Sequence, residues 1–178
     1  LKNHSLTLTT LGIKNLHGTV SDDDKLFGHD YHRIPQKLVD ILRYHKPALT
    51  VIDGVRGQQG DHADMGSVVE TKVIISGTDT VAVDAIAEAV MGLGNLEADT
   101  TRLAHEQGLG VGDRDQVQVL GAKIDTVAHK FARPDIEVSE KRFPGLRIHA
   151  GDFCKGCEYY VRRGIDRLVA EGVLDPND

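Results

Sequence analysis

The sequence predicts an α/β domain with a mixed or mostly parallel sheet flanked by helices. Short apolar runs, each bounded by Gly or Asp, alternate with stretches whose apolar residues recur every three or four positions. The 178 residues suit one domain of ordinary size. Aromatic residues make up only 4% of the chain and Trp is absent, so the core must consist of Val, Ile, Leu and Ala.

The first half of the chain predicts strands on either side of a loop and a helix. Residues 6–9 alternate in polarity and predict a short strand, and the polar stretch that follows predicts an ordered loop with little regular structure. A helix is predicted from Arg33 to His45, because an apolar stripe runs along it and Pro35 lies in its first turn. Residues 48–52 form an apolar run before Asp53, which is typical of a buried strand.

The α/β pattern continues after a Gly-rich loop. A strand is predicted over 68–76, and Thr78 or Asp79 suits the N-cap of the helix that follows. A further helix is predicted over 97–107, and a strand over 116–120. Because these elements alternate with short links, we expect the sheet to be mixed or parallel.

The periodicity weakens after residue 123, where we place a domain boundary. Residues 1–123 form the predicted α/β core, and residues 124–178 form an irregular connection that ends in a helix from about Cys157 to Gly172. The buried stripe expected on that helix consists of Val161, Ile165, Leu168 and Val169. We also expect an upstream part of the natural protein to be absent, because the chain begins with Leu rather than Met.

Charge and hydropathy argue against two classes of partner. The net charge of -6 repels a phosphate backbone, so no nucleic-acid partner is expected, and the short basic face of Arg162, Arg163 and Arg167 is expected to be solvated. No apolar run approaches the ~20 residues that a membrane helix needs, so no membrane partner is expected. Two closely spaced cysteines and the lack of a secretory signal favour a cytoplasmic protein.

The pair Cys154 and Cys157 is the sharpest candidate for chemistry. Two thiolates at this spacing can hold one zinc or iron ion, with His149 as a further ligand and Asp152 as a harder oxygen donor. The pair can instead act as a redox dithiol at a helix N-terminus, where the helix dipole lowers a thiol pKa. A third alternative is an iron–sulfur cluster shared by two subunits of a homo-oligomer, because such clusters usually need four thiolates. The simplest alternative is two reduced cysteines that cap a helix.

A second candidate site lies where the predicted strands end. Ligands of open α/β sheets bind beyond the carboxyl ends of the strands, and Asp53 follows a buried strand there. Arg56 can hold a phosphate or carboxylate bidentately. Asp84 lies among apolar residues and needs a partner if it is buried, for which Lys14 and Arg56 are candidates. The candidate catalytic residues for a small anionic substrate are Lys14, His32, Asp53 and Asp84, and the candidate ligand-binding residues are Asn15 and Arg56.

Two polar clusters are weaker candidates. His29 and His32 are three residues apart beside the acidic run Asp22–Asp24, a spacing that suits a metal ion. Solvated histidines before a helix are the simpler interpretation. The loop after Arg56 is the other cluster, and a plain flexible loop is its competing interpretation. Its acidic and histidine side chains are Asp61, His62 and Asp64.

Three segments, in this order, resemble the family of domain of unknown function 362. They are Ile13-Lys14-Asn15-Leu16-His17-Gly18 with His29 or His32 downstream, Pro47 to Gly54 with the Gly-rich loop after it, and Ile75 to Ala85 followed by Met91-Gly92, Gly108-Leu109-Gly110 and Gly121. The resemblance covers roughly residues 1–121. It implies a redox or cluster-associated role and no established reaction, because family members often carry iron–sulfur cysteine motifs. Members with a ferredoxin segment have four cysteines in a run, whereas this chain has two.

Three functions are compatible with these observations. The first is a metal- or iron–sulfur-associated protein with a redox partner protein, in which Cys154 and Cys157 are soft ligands. The second is an enzyme that acts on a small anionic molecule at the strand ends. The third is a non-catalytic module of a larger redox protein, with an apolar surface that another segment or chain covers. The chain contains no phosphate-binding loop, dinucleotide fingerprint, nucleophile elbow or His-Glu-x-x-His motif.

Overall fold

The computed structural model describes residues 1–27, 32–60, 66–134, 138–139, 143–149, 151 and 155–175. Several residues singled out from the sequence lie outside these ranges, and the predictions made for them stay predictions. They are His29, Asp61, His62, Asp64, Asp152 and Cys154.

The chain begins with a tight hairpin. Strand β1 (Asn3–His4) pairs antiparallel with β2 (Leu8–Thr9), so that Asn3 lies opposite Thr9. The strand predicted over 6–9 is therefore interrupted by a turn. Leu8 has a φ of 61°, a conformation that a side-chain-bearing residue keeps only when its surroundings hold it, and it packs against the core.

Short helical segments replace the loop expected after this hairpin. They are α1 (Gly12–Asn15), a 3-10 turn (Leu16–Thr19) and α2 (Asp22–Leu26). The acidic run starts a helix because the Ser21 hydroxyl accepts the Asp24 N–H at 3.2 Å, and because carboxylates in a first turn complement the helix dipole.

Helix α3 (Ile34–Tyr44) confirms the helix predicted from Arg33 to His45. Its apolar face is buried, with Leu38 and Val39 fully enclosed. Its Lys37 ammonium donates hydrogen bonds to the carbonyls of Lys25 at 3.3 Å and Phe27 at 2.6 Å. These bonds satisfy carbonyl groups at the end of α2, so α3 holds the preceding helix in place.

The strands in the middle of the chain form one long hairpin. Strand β3 (Thr50–Gly54) pairs with β6 (Val73–Gly77), and between them β4 (Gly57–Gln59) pairs with β5 (Ser67–Val69). The strand predicted over 68–76 is thus divided in two, and Lys72 makes the bend with a φ of 54°.

These antiparallel pairs replace the mixed or mostly parallel sheet expected from the sequence. Parallel neighbours need a crossover, usually a helix, whereas this chain returns from β3 to β6 through the β4–β5 hairpin. Within the described ranges, parallel pairing is limited to an isolated bridge between Lys2 and Gln58. The broad class of mixed helices and strands is confirmed, because a helix packs on the β3–β6 pair.

That helix is α4 (Thr80–Val90), the most buried element described. Asp79 is its N-cap, as expected, with one carboxylate oxygen accepting the N–H groups of Val81 at 2.9 Å and Ala82 at 3.1 Å. The other oxygen accepts the Val111 N–H at 2.8 Å. One carboxylate therefore fastens a distant loop to the start of α4.

The next predicted helix forms, but the strand predicted after it does not. Helix α5 (Asp99–Glu106) confirms the helix predicted over 97–107. At 116–120 the structure has the end of a 3-10 turn (Arg114–Gln116) followed by chain without strand pairing. Alternating polarity alone does not make a strand, because a strand needs a neighbouring edge to pair with. Leu120 is 85% exposed.

The C-terminal region has one single-turn helix, α6 (Ile124–Val127), and one long helix, α7 (Lys155–Ala170). The long helix was predicted, but its buried stripe was not placed correctly: Val161 is 54% exposed and Leu168 is 41% exposed. Arg162, expected to be solvated, is buried instead. It donates to Asp166 at 2.9 Å and lies 5.6 Å from the centre of the Phe143 ring, which compensates for its desolvation.

Two apolar clusters form the core on either side of α4. One lies between α1, α3 and α5, and consists of Leu6, Ile13, Ile34, Leu38, Val39, Ile41, Leu42, Val81 and Ala104. The other lies between α4 and the strands, and consists of Leu11, Ile52, Val83, Ala87, Met91, Leu93, Ala98 and Phe131.

Residues 129–132 pack on the second cluster, although they follow the predicted boundary at residue 123. The His129 N–H donates to the Val90 carbonyl at 2.8 Å, and the Phe131 N–H donates to the Met91 carbonyl at 3.1 Å. The Asn3 amide donates to the Ala132 carbonyl. These bonds attach the segment both to the end of α4 and to the first strand.

Candidate functional site

Buried polar side chains concentrate in the first ten residues. They are Asn3, His4, Thr7 and Thr9. A buried polar group is costly unless it is hydrogen-bonded. Here His4 Nδ1 accepts the Leu6 N–H at 3.1 Å, and the Thr7 hydroxyl donates to the Thr9 carbonyl at 2.8 Å. A strained, polar and buried loop of this kind is more typical of a binding site than of a packed core.

Asp84, on the second turn of α4, bonds to the backbone that directly follows this region. It is 3% exposed, and its two carboxylate oxygens accept the N–H groups of Gly12 at 2.7 Å and Ile13 at 2.9 Å. The partner expected from the sequence was a cation, Lys14 or Arg56, whereas the structure provides the free N–H groups at the start of α1. Burial raises the Asp84 pKa to about 7, although the two N–H groups favour the charged form.

Gly12 permits this close approach. A Cβ at this position would lie 2.7 Å from a methyl group of Thr50 and 2.8 Å from the Asp84 Oδ1 atom, distances that real Cβ atoms do not reach. The glycine is therefore required by the packing of α1 against α4 and β3.

Glu88 lies one turn further along α4 and is 2% exposed. Its Oε1 atom accepts the Thr101 hydroxyl at 2.5 Å. Burial raises its pKa to about 8, and the nearby Asp84 raises it further. The sequence analysis missed this residue, although an acid four positions after Asp84 in an apolar helix was a usable signal.

Lys14 and Lys2 bring two cations to the same region. Lys14 lies in the last turn of α1, is half-buried, and has a pKa lowered by desolvation and by the charge of Lys2. Within the described ranges neither ammonium group has an ion pair or a hydrogen bond. Asn15 is exposed beside Lys14. Two neighbouring cations that have no acidic partner in the described part of the chain suit a phosphate or carboxylate ligand.

Asp53 and Arg56, also expected at this site, lie at and beyond the end of β3. The Thr50 and Thr80 hydroxyls are 2.8 Å apart, so the start of β3 lies beside α4 close to Asp84. Asp53 is three residues further along the strand, roughly 10 Å away. Its Oδ1 atom accepts the Val55 N–H at 2.8 Å, which makes it a turn residue, and Arg56 beyond it is exposed.

His32 is also exposed, just before α3. It lines an open groove on the outer face of that helix together with Phe27 and Tyr44. The structure therefore brings together Lys14, Asn15 and Asp84 from the predicted set, and adds Lys2 and Glu88. Asp53 lies instead beside the residue before Lys2, since its carbonyl accepts the Leu1 ammonium at 2.6 Å. Arg56 and His32 are exposed, and neither contributes to the hydrogen bonds of Asp84 described above.

The candidate metal ligands are described only in part. Cys157 is exposed in the first turn of α7, and His149 is exposed before it. Among the described residues there is no group of three or more His, Cys, Asp or Glu side chains that could hold a metal ion. These 178 residues contain two cysteines, which is half of the four thiolates of a usual iron–sulfur cluster.

An apolar groove runs along the free edge of β6. It encloses about 400 Å³ between that strand, α4 and residues 117–127. Ile74 is 69% exposed at its rim. This is the kind of surface that the hypothesis of a partner-binding module requires, and that hypothesis stays a prediction.

Comparison with known proteins identifies a family and one distant relative. The family model described as Domain of unknown function (DUF362) matches residues 1–89, which is half of the 178-residue chain. The Thylakoid-associated protein sll1697 of Synechocystis sp. is 27% identical over 116 residues, which cover 62% of this chain and 36% of that protein. The match thus spans about a third of the relative's length.

No solved structure is similar to the chain. Among the described helices, none combines the length and the apolar character needed to cross a membrane.

Proposed function

The chain belongs to the family of domain of unknown function 362, and from this premise we propose that its family-matched region binds a small anion, a phosphate or a carboxylate, through Lys14 and Lys2. The observation that carries the proposal is the position of Lys14, half-buried beside a second cation and without an acidic partner in the described part of the chain. Desolvating a cation next to another cation is unfavourable, and a bound anion would offset that cost.

The surrounding groups favour the same ligand class. Asn15, next to Lys14, offers an amide that can donate a hydrogen bond to an anion. Asp84 and Glu88 are acids, but burial raises the pKa of each, so neither carries a full negative charge at neutral pH. The site therefore keeps a positive balance although two carboxyl groups lie beneath it.

Lys14→Gln tests this proposal. We expect it to weaken the binding of inorganic phosphate or of a small dicarboxylate at least about tenfold, because it removes a charge-assisted hydrogen bond. Lys46→Gln is the matched control, since it removes one positive charge from an exposed lysine elsewhere on the chain. Affinities are measured by isothermal titration calorimetry at constant ionic strength. Equal affinities for the two variants would exclude a specific role for Lys14.

A second function, metal or iron–sulfur binding, is favoured by a different observation. The Cys157 thiol is exposed in the first turn of α7, where it is accessible to a metal ion. Cys154 precedes it by three residues, a spacing that suits two ligands of one zinc or iron ion. A cluster with four thiolates would need two further cysteines, which a second copy of this chain in a homo-oligomer would supply, and its role would be electron transfer with a redox partner protein.

Anaerobic purification followed by elemental analysis and an absorbance spectrum tests this second function. We expect iron with sulfide, or zinc, in proportion to the cysteines. Cys157→Ser should remove the metal, because it removes one of the two soft ligands. Lys14→Gln serves as the control that keeps the metal. Protein that holds no metal in stoichiometric amount under these conditions would rule the function out.

A further inference from the structure

We propose that His105 is a pH-sensitive switch, which holds the loop of residues 108–112 by one backbone group when its imidazole is neutral and by another when the imidazole is protonated. This loop joins α5 to the 3-10 turn that begins at Arg114. The chain continues from that turn into the wall of the apolar groove beside β6. None of the residues of the proposed anion site takes part in the switch.

The 108–112 loop turns back over α5 and packs closely on it. It leaves the helix through Gly108, which has a φ of 69° and donates its N–H to the His105 carbonyl at 2.9 Å. At the other end of the loop, a Cβ on Gly112 would lie 2.8 Å from the Cβ of His105 and 3.0 Å from the Thr101 carbonyl oxygen. The backbone of the loop therefore lies within reach of the half-buried His105 side chain.

The His105 Nδ1 atom faces two backbone groups of the loop. It accepts the Gly112 N–H at 3.2 Å, and the Gly110 carbonyl oxygen lies 3.4 Å from the same atom. A ring nitrogen carries either a lone pair or a proton, so it cannot bond to both groups at once. The neutral ring with its proton on Nε2 accepts the Gly112 N–H. When Nδ1 takes a proton from solvent, it can donate only to the Gly110 carbonyl, so proton uptake exchanges one partner for the other.

An acid that follows the loop favours the protonated ring. The Asp113 carboxylate accepts the side-chain amides of Asn95 at 2.7 Å and Gln116 at 2.8 Å. These hydrogen bonds lower the pKa of Asp113, and the charge of His105 acts in the same direction. The same attraction stabilises an imidazolium at His105, so the protonated arrangement is not simply the loss of a bond.

The other charged groups on the elements packed around His105 mostly have partners of their own. On α5 itself Arg102 pairs with Asp99 at 2.7 Å and with Glu106 at 3.0 Å. The remaining ones are Asp79 and Glu88 on α4, bonded to Val111 and Thr101, Asp40 and Arg43 on α3, bonded to Gln36 and Gln107, Arg114 on the 3-10 turn, bonded to the Leu93 carbonyl, and the exposed Asp115.

The exchange of partners alters one end of the loop and leaves its middle attached. Asp79 accepts the Val111 N–H at 2.8 Å, a bond in which the imidazole has no part. Gly112, in contrast, loses its acceptor when Nδ1 is protonated. Because the chain runs from Gly112 through the 3-10 turn to Val117 and Val119, which line the groove, proton uptake changes how the groove wall is anchored without detaching the loop.

NMR spectroscopy of the whole chain between about pH 8 and about pH 5 tests the switch, since imidazole groups titrate within that range. At the upper pH we expect the imidazole nitrogen shifts of His105 to show an unprotonated Nδ1. On acidification the protection factor of the Gly112 amide should fall at least about tenfold, the size of one lost hydrogen bond. That of Val111 should change less than about twofold. The methyl shifts of Val117 and Val119 should titrate together with His105.

His105→Asn should remove the pH dependence. Its side-chain oxygen can take the place of Nδ1 and accepts the Gly112 N–H at every pH in the range. We therefore expect constant Gly112 protection, and methyl shifts of Val117 and Val119 that no longer titrate. His45→Asn is the matched control, since it replaces an exposed histidine just after α3 and should keep the wild-type behaviour.

The wild-type spectra decide the matter even if His105→Asn does not fold. A proton on Nδ1 at the upper pH, or a Gly112 protection factor that stays constant on acidification, would overturn the switch. Equal losses of protection at Gly112 and Val111 would also overturn it, because they would show that the whole loop opens and that no exchange of partners takes place.

Discussion

Burial raises the pKa of the Glu88 carboxyl group and thereby makes the stability of the protein depend on pH. The ordinary pKa of this group is 4.5 and its pKa in the folded protein is about 8, so the folded state holds the proton over a range in which the unfolded chain has released it. The free energy of unfolding must therefore decrease as the pH rises from about 4.5 to about 8, and the Glu88 contribution is constant outside that window.

Glu88→Gln should flatten this pH dependence. Gln cannot ionise, so the loss of stability between about pH 4.5 and about pH 8 should be smaller than in the wild-type protein, by up to a few kcal/mol since one pKa unit corresponds to about 1.4 kcal/mol. Urea unfolding at several pH values measures the effect. Glu70→Gln, at an exposed acid, is the control and should keep the wild-type slope. Parallel profiles for the wild type and Glu88→Gln would contradict the expectation.

Residue chemistry explains why Asp84 was found from the sequence and its partner was not. An acid among apolar residues predicts burial and a partner, which is correct. The partner is backbone N–H at the start of a four-residue helix, and no side-chain pattern predicted that helix. Glu88 was overlooked for a related reason, because its hydrogen-bond partner is the Thr101 hydroxyl rather than a cation.

At the scale of elements, Asp79 connects two parts of the chain. It caps α4 through the N–H groups of Val81 and Ala82, and it also holds the Val111 N–H. Gly110 is needed for this contact, since a Cβ there would lie 2.3 Å from the Asp79 Oδ1 atom.

Asp79→Ala should destabilise both the start of α4 and the loop at Val111. We expect the free energy of unfolding to fall by about 1–2 kcal/mol from the loss of the N-cap alone. Hydrogen exchange should increase at Val81, Ala82 and Val111 in the same variant, because all three N–H groups lose their acceptor. Asp125→Ala, at an exposed acid in α6, is the matched control and should change neither quantity. Faster exchange at the start of α4 with unchanged exchange at Val111 would show that the two parts are independent.

Elements with strong local signals were predicted well, and pairing was not. Helices α3, α4 and α5 follow from apolar periodicity, capping and proline, which act within a few residues. The direction of β6 relative to β3 depends on the path between them. The β4–β5 hairpin on that path lacks the periodicity of a strong strand signal, so a crossover was expected instead.

At the scale of the whole molecule, the core extends along the chain at least as far as Phe131. Phe131 is 4% exposed and contributes to the apolar cluster beside α4. The predicted boundary at residue 123 would leave this ring outside the core fragment.

A fragment of residues 1–134 should therefore unfold cooperatively, whereas residues 1–123 should be strongly destabilised. Loss of a buried Phe side chain costs about 3–5 kcal/mol, a large fraction of the stability of a domain this size. Thermal unfolding followed by circular dichroism compares the two fragments. Phe131→Ala in the full chain tests the same side chain without truncation. Equal melting temperatures for the two fragments would support the boundary at residue 123.

The antiparallel hairpin also explains the division of the predicted site. Asp53 and Arg56 were expected beside Lys14 on the assumption that the ends of parallel strands meet at one edge of the sheet. In the antiparallel arrangement Thr50, at the start of β3, lies next to α4, and the end of the strand carries Asp53 away from it. Of the predicted residues, Lys14, Asn15 and Asp84 therefore lie together at the start of α1, whereas Asp53 lies beside Leu1 at the other end of β3.

The hydrogen bond from Asn3 to Ala132 joins positions 129 residues apart in the chain. Contacts of such long separation form only after the intervening chain is compact, whereas the β3–β6 hairpin and α4 can form from neighbouring residues. Folding should therefore proceed from the middle of the chain outward, with the first strand docking last. The same order in reverse makes the first strand the earliest to detach, so the segment that carries Lys2 should be the fastest to open and close in the native protein.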